Sequence, residues 1–401
     1  MIDVTAIRQD FPIFSGLRLV YLDNAATTQK PASVIQAVHD FYTTKNATVR
    51  RSVYPLAASA TQAYEQVRAG VQHFIGAASP HEIIFTSGVT EGINLVAQSF
   101  LAPRLKPGDE VLISMMEHHA NLVPWQQLCQ QYGAHLRVIP INEQGELRMD
   151  LLPELLNART RMLAIAQVSN SLGTINPIAA IVQSARRYKI PVLVDAAQSI
   201  AHYPLDVQAL DCDFLVFSGH KMFAPSGVGI LYGKEAHLAQ MPPWQTGGEM
   251  IQSVTLETAL FAKPPARFEA GTPNIEGAIG LGAAINYLNA LDQKAVAAHL
   301  EALRAYATER LLAIAGVHII GTAAQKTAIV SFTIAGIHPH DAATFFGEAG
   351  IALRAGHHCT QPVMDFFQIP GTLRASFTIY NTIEEIDYLI ETIGAARRFF
   401  A

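Results

Sequence analysis

Val192-Leu193-Val194-Asp195 and, about one βαβ step later, Phe214-Leu215-Val216-Phe217-Ser218-Gly219-His220-Lys221 decide how this chain reads. Each begins as a short run of large apolar residues, the pattern of a strand buried on both faces. Each ends in polar residues: Asp195, with Gln198 three positions on, and Ser218 to Lys221. Two neighbouring strands then bring an acid and an amine to the same carboxyl edge of one sheet, where open α/β sheets bind ligands.

The surrounding pattern fits that sheet. From about residue 31 to 260, helical and strand patterns alternate. Pro31 opens a helix whose apolar stripe is Val34, Ile35, Val38, Phe41 and Tyr42. Ser59 can cap a second, with Tyr64, Val67, Val71 and Phe74 inward. Short apolar runs recur around Ile84, Leu112, Val138, Ala164, Leu193, Val216 and Leu231. This predicts an α/β fold with a mostly parallel, doubly wound sheet. From about 263 two long helical stretches come first, then strand runs and helices, which predicts a smaller α+β domain. The expected division is a large domain over 16–262 and a small one made of 1–15 and 263–401. Gly277, Gly280 and Gly282 lie in an apolar helical run and read as close helix packing rather than a dinucleotide loop.

Composition narrows the function classes. The chain has 401 residues, half of them hydrophobic and 15% charged, ample for a large core. A net charge of -5 with no basic run favours neither nucleic acid nor a membrane surface. Asp3, Arg8, Asp10 and Arg18 interrupt the N-terminal segment, so it does not read as a signal peptide. Three cysteines, Cys129, Cys212 and Cys359, make a disulfide framework unlikely and point to the reducing cytoplasm.

Several segments carry chemistry, each with a structural alternative. An amine and an acid at one sheet edge suit pyridoxal phosphate. The amine forms a Schiff base with its aldehyde, and the carboxylate keeps the pyridine nitrogen protonated so that the ring accepts electrons. Thr86-Ser87-Gly88-Val89-Thr90 follows a strand and opens a helix, a phosphate cradle or a plain N-cap. Ser218 and His220 are further phosphate donors. His118, in Glu117-His118-His119, can lie flat on a pyridine ring or be an ordinary structural histidine; the spacing of a zincin metal pair is absent. Arg354-Ala355-Gly356-His357-His358-Cys359-Thr360 sets a cysteine on a loop beside an arginine and two histidines, positive neighbours that favour its thiolate. The alternative is an inert buried thiol, which suits Cys129 and Cys212. Arg374, inside an apolar strand, suits a substrate carboxylate or an internal salt bridge.

Together these segments resemble the fold-type I pyridoxal phosphate enzymes. More narrowly they resemble the cysteine desulfurases of the SufS/CsdA group, also described as selenocysteine lyases. The likeness runs through Tyr21-Leu22-Asp23-Asn24-Ala25-Ala26, Thr90-Glu91, Glu117 to Trp125, Asp195 to Gln198, Ser218 to Lys221, Glu269 to Asn274, Arg354 to Cys359 and Arg374-Ala375-Ser376. It implies that Lys221 holds the cofactor and moves protons, that Asp195 pairs with the pyridine nitrogen and Gln198 with the phenolic oxygen, and that His118 stacks on the ring. It assigns the phosphate to Thr90, Ser218 and His220, with Thr272 reaching across from a second subunit of a homodimer. Asn170, Arg354 and Arg374 fall to the substrate, and Cys359 to attack on the substrate sulfur. The implied reaction turns L-cysteine into L-alanine and passes a persulfide to a SufE/CsdE-like acceptor protein, with selenocysteine and cysteine sulfinate as further substrates. Three departures stand out: Thr48-Val49-Arg50-Arg51-Ser52, with Arg50 replacing a histidine near the site entrance, Thr246-Gly247-Gly248, and Thr360 after the cysteine. The rival readings are another fold-type I lyase or epimerase of the kynureninase kind, and a non-catalytic scaffold of the same fold.

Overall fold

The computed structural model describes residues 2–16 and 19–401, so Arg18 lies outside the described residues. Seven short apolar segments pair into one sheet: β1 (Ile83–Thr86), β2 (Glu110–Ser114), β3 (His135–Ile139), β4 (Thr160–Ala166), β5 (Val192–Asp195), β6 (Phe214–Ser218) and β7 (Gly229–Gly233). Their spatial order is β1-β7-β6-β5-β4-β2-β3, and only β7 runs antiparallel to its neighbours. The central strands are buried along their whole length, because helices cover both faces. A second sheet is antiparallel throughout, in the order β8 (Val317–Ile320), β9 (Ile329–Ile334), β11 (Thr372–Ser376), β10 (Arg354–Gly356). Ile351–Ala352 is a further short strand, paired in parallel with Val20–Tyr21 and outside both sheets.

The helices show where local pattern and packing part. Helix α1 (Ala32–Asp40) continues as a wider turn over Phe41–Lys45. Val34 and Phe41 are buried, but Ile35 and Tyr42 of the expected stripe are exposed. Helix α2 (Pro55–Phe74) starts at Pro55, not after Ser59; proline at a first helical position loses no bond and has its φ already set. Its Tyr64, Val67 and Val71 face inward as expected. Helix α3 (Ile275–Asn289) packs on both α1 and α2. A Cβ at Gly280 would lie 2.4 Å from Pro225 Cγ, so glycine is what permits that approach.

One buried carboxylate ties this frame to the loop that follows the sheet. Glu269 receives Arg68 at 2.8 Å and Arg50 at 2.6 Å. It also accepts the backbone N–H of Phe85 in β1 at 2.8 Å. Arg68 and Glu269 side chains are only 2% and 3% exposed, so neither has water to replace a lost partner. Glu269→Ala should therefore cost about 3–5 kcal/mol of unfolding free energy, read as a lower urea midpoint; a loss below about 1 kcal/mol would show that the cluster contributes little.

Candidate active site

β5 ends at Asp195 and β6 at Ser218, and the parallel register sets Asp195 against Val216. A short turn over Gly219–Lys221 then returns the chain, so Lys221 reaches back over the strand ends. One cavity of about 250 Å³ opens there. Thr90, His118, Asn170, Asp195, Gln198, Ser218, His220, Lys221, Arg354 and Arg374 all line it. Cys359 and Thr272 do not; Thr272 lines a separate recess with Ser87 and Glu91.

The cavity's electrostatics follow from burial. Lys221 is pulled down to about 8, because burial penalises its charge more than Asp195 supports it. Asp195 is pushed up by the same burial, against a backbone bond from Ala197 N–H at 2.8 Å and the charge of Lys221. Among the described residues no carboxylate lies within ion-pair reach of Lys221, so amine and acid share the cavity without touching. His118 is lowered to about 3, first by burial and then by Lys221. Its Nδ1 accepts from Ala120 N–H at 3.0 Å, so the ring is neutral with its proton on Nε2.

The residues fit a phosphorylated pyridine aldehyde. At one end Val89 N–H donates to Ser218 Oγ at 2.9 Å, beside Gly88 at φ 155°. A Cβ at Gly229 would lie 2.5 Å from Gly88 Cα, so bare backbone shapes this end of the cradle. Gln198 donates to Ala25 O at 2.7 Å, and Asp195 stands as a buried acid at the other end. Thr90, Ser218 and His220 would hold the phosphate, and Asp195 and Gln198 the ring's polar atoms.

The cysteine loop is fastened over this cavity. Asn170 donates its amide to His358 O at 2.7 Å, and His119 N–H donates to Cys359 O at 2.7 Å. His358 and Cys359 both adopt positive φ, 53° and 58°, a tight backbone held by those bonds. Arg354 Nη2 stands 3.9 Å from Cys359 Sγ. The expected support from two histidines is corrected in part: burial lowers His358 to about 2, so its ring is neutral, and Nε2 pairs with Thr372 Oγ1 at 2.8 Å. Thr360 turns its hydroxyl inward to His357 O at 2.9 Å. Cys129 and Cys212 are raised by burial to about 11 and 12, Asp213 adding to the second.

Arg374 forms the internal salt bridge that was one of its two alternatives. It is buried, donates to Asn170 O at 2.8 Å and pairs with Asp23 at 3.0 Å, while its Nε has no partner. Arg50 does not line the cavity; its guanidinium pairs with Glu269 and Glu65. Sequence reasoning assigned no role to Asp23 or Glu117. Glu117 is buried, raised to about 7 by desolvation, and binds Asn121 Nδ2 at 2.6 Å and Ala166 N–H at 3.0 Å, joining the His118 segment to the end of β4. The signal was available for Asp23, since a buried arginine at 374 requires an acid.

Known proteins resemble this chain in sequence and fold. A proteobacterial cysteine desulfurase from Escherichia coli O127:H6 is 48% identical over 400 residues, covering 98% of each chain. A cysteine desulfurase from Synechococcus elongatus is also 48% identical over 99% of this chain, but this chain spans only 63% of that longer protein. The crystal structure of the cysteine desulfurase CsdA from Escherichia coli superposes with a TM-score of 0.94 at 40% identity, covering 100% of both chains. The model of the family described as aminotransferase class-V matches residues 20–389. With the lysine, acid and cradle at one sheet edge and that match over nearly its whole length, the chain belongs to the class-V aminotransferase family.

Proposed function

We propose that this protein is a pyridoxal-phosphate-dependent cysteine desulfurase, converting L-cysteine to L-alanine through a persulfide on Cys359. One observation carries the reading: the loop that bears Cys359 contributes Arg354 and His358 to the cavity that also contains Lys221 and Asp195. When bound, the cofactor supplies an aldehyde that links to amines and a ring that accepts electrons from the substrate α-carbon. Lys221 would supply the linking amine and move a proton at the substrate α-carbon. Asp195 would hold a proton on the ring nitrogen, and His118 would present a neutral ring face. Arg374 Nε, buried and unpartnered, is free to bind the substrate carboxylate, with Arg354 and Asn170 beside it. Cys359 Sγ then bonds the substrate sulfur as the Cβ–S bond breaks, the electron pair staying with carbon, which takes up a proton. Cysteine and a thiol become alanine and a persulfide, so atoms and electrons balance.

A SufE/CsdE-like acceptor protein would take that persulfide, and selenocysteine or cysteine sulfinate would enter the same site. A cytoplasmic setting agrees with three free cysteines. No helix among the described residues is long and apolar enough to cross a membrane. Val254, Leu256 and Leu260, on or beside the Ile251–Val254 and Ala259–Phe261 hairpin, and Val53 stand exposed, apolar surface that a second copy would cover. In such a dimer Thr272 would serve the partner's phosphate.

Cys359→Ala should lower alanine and persulfide formation from cysteine by more than about 100-fold while the visible cofactor band persists; retained desulfuration would end this reading. Capture of pyridoxal phosphate by the apo-protein requires the neutral amine. Its rate should rise about tenfold per pH unit up to pH near 8 and then level off, because burial sets Lys221 at about 8 rather than 10.5. A rise continuing to pH 10 in stopped-flow absorbance would contradict that placement. Leu256→Asp with Leu260→Asp should shift the protein to monomer in sedimentation velocity and loosen cofactor retention.

A further inference from the structure

The backbone carbonyl of His220 is over-supplied with donors. It accepts from Thr28 N–H at 3.0 Å, Thr27 Oγ1 at 3.1 Å, Thr28 Oγ1 at 3.2 Å and Lys30 Nζ at 3.0 Å. A carbonyl oxygen has two lone pairs, so four donors exceed what satisfaction alone requires. One of the four is a cation. Lys30 Nζ also donates to Thr28 O at 2.5 Å, and among the described residues it has no carboxylate within ion-pair distance. Burial lowers it to about 8, so it still carries most of its charge at neutral pH. A half-buried ammonium spent on two carbonyls is costly, and a purely structural clamp would be served by the threonines. Thr28 Oγ1 in addition accepts from Phe223 N–H at 2.9 Å, so the grip spans both sides of Lys221.

The gripped peptide is the one that joins His220 to Lys221. It sits in a turn of three residues, Gly219–Lys221, too short to fix its own carbonyl by internal bonds. We propose that Lys30, with Thr27 and Thr28, is a positioning residue for Lys221: it holds the His220–Lys221 peptide plane so that the amine stays aimed into the cavity. The inference rests on the reading of Lys221 as the cofactor-linking amine and adds a residue to it. Lys30 touches neither substrate nor cofactor in this account; it acts through the backbone.

The test compares two aldehydes. Apo-protein is mixed with pyridoxal phosphate or with pyridoxal, which lacks the phosphate, and covalent attachment is followed by absorbance, then by borohydride trapping and peptide mass. Lys30→Met removes the charge and keeps the length. Attachment at Lys221 should slow about tenfold with both aldehydes, since the amine itself is misplaced. Thr27→Val, which removes one neutral donor, should slow both less, with the melting temperature unchanged; it also serves if Lys30→Met fails to fold. Rates equal to wild type with both aldehydes would overturn the proposal. So would a slowing confined to pyridoxal phosphate, which would make Lys30 a phosphate attractor instead. In the wild type, trapping at a residue other than Lys221 would remove the underlying functional reading and this inference with it, whereas trapping at Lys221 with insensitive variants would remove the inference alone.

Discussion

Two opposite ionisable groups are buried at the ends of adjacent strands and kept apart. Burial raises Asp195 and lowers Lys221, so each is held toward its neutral form at some energetic cost. Direct pairing would relieve more of that cost, but the two groups line one cavity without forming an ion pair. The parallel register of β5 and β6 enforces the separation, because the acid ends its strand while the amine comes back from a turn. The rest of the site is arranged around that unrelieved pair.

The segments around that pair are fastened by bonds between residues distant in sequence. Glu117 joins the His118 segment to the end of β4. Asp23 holds Arg374, Arg374 holds the Asn170 backbone, and Asn170 holds the cysteine loop at His358. Glu269 braces β1, which leads into the Thr86–Thr90 turn, against the 269–274 loop. Apart from the neutral Asn170–His358 bond, these involve ionisable groups in poorly hydrated surroundings, where losing one partner leaves the other exposed to the full desolvation penalty. The cavity therefore holds its shape through few, strong, long-range contacts.

Much of the sheet was legible because a strand buried on both faces advertises itself as a run such as Leu215-Val216-Phe217. Lys221 and Asp195 were legible because each terminates such a run. Helix starts were less so: Ser59 looked like a cap, yet the proline four residues earlier opens the helix. Ile35 and Tyr42 fit a helical stripe, yet both stay exposed while Val34 and Phe41 are buried. His358 misled because charge was inferred from residue type, while burial decides whether an imidazole is protonated.

The amino-acid order by itself determined the alternating strand and helix pattern, the carboxyl-edge placement of Asp195 and Lys221, and the loop that carries Cys359, because these depend on local periodicity and chain reversal. Tertiary structure alone decided which groups meet: Asp23 with Arg374, Asn170 with His358, and Lys30 with the His220 carbonyl are separated by 351, 188 and 190 positions. No local rule reaches that far. Such contacts arise only when the packed core brings buried polar groups together and each must find a partner within reach.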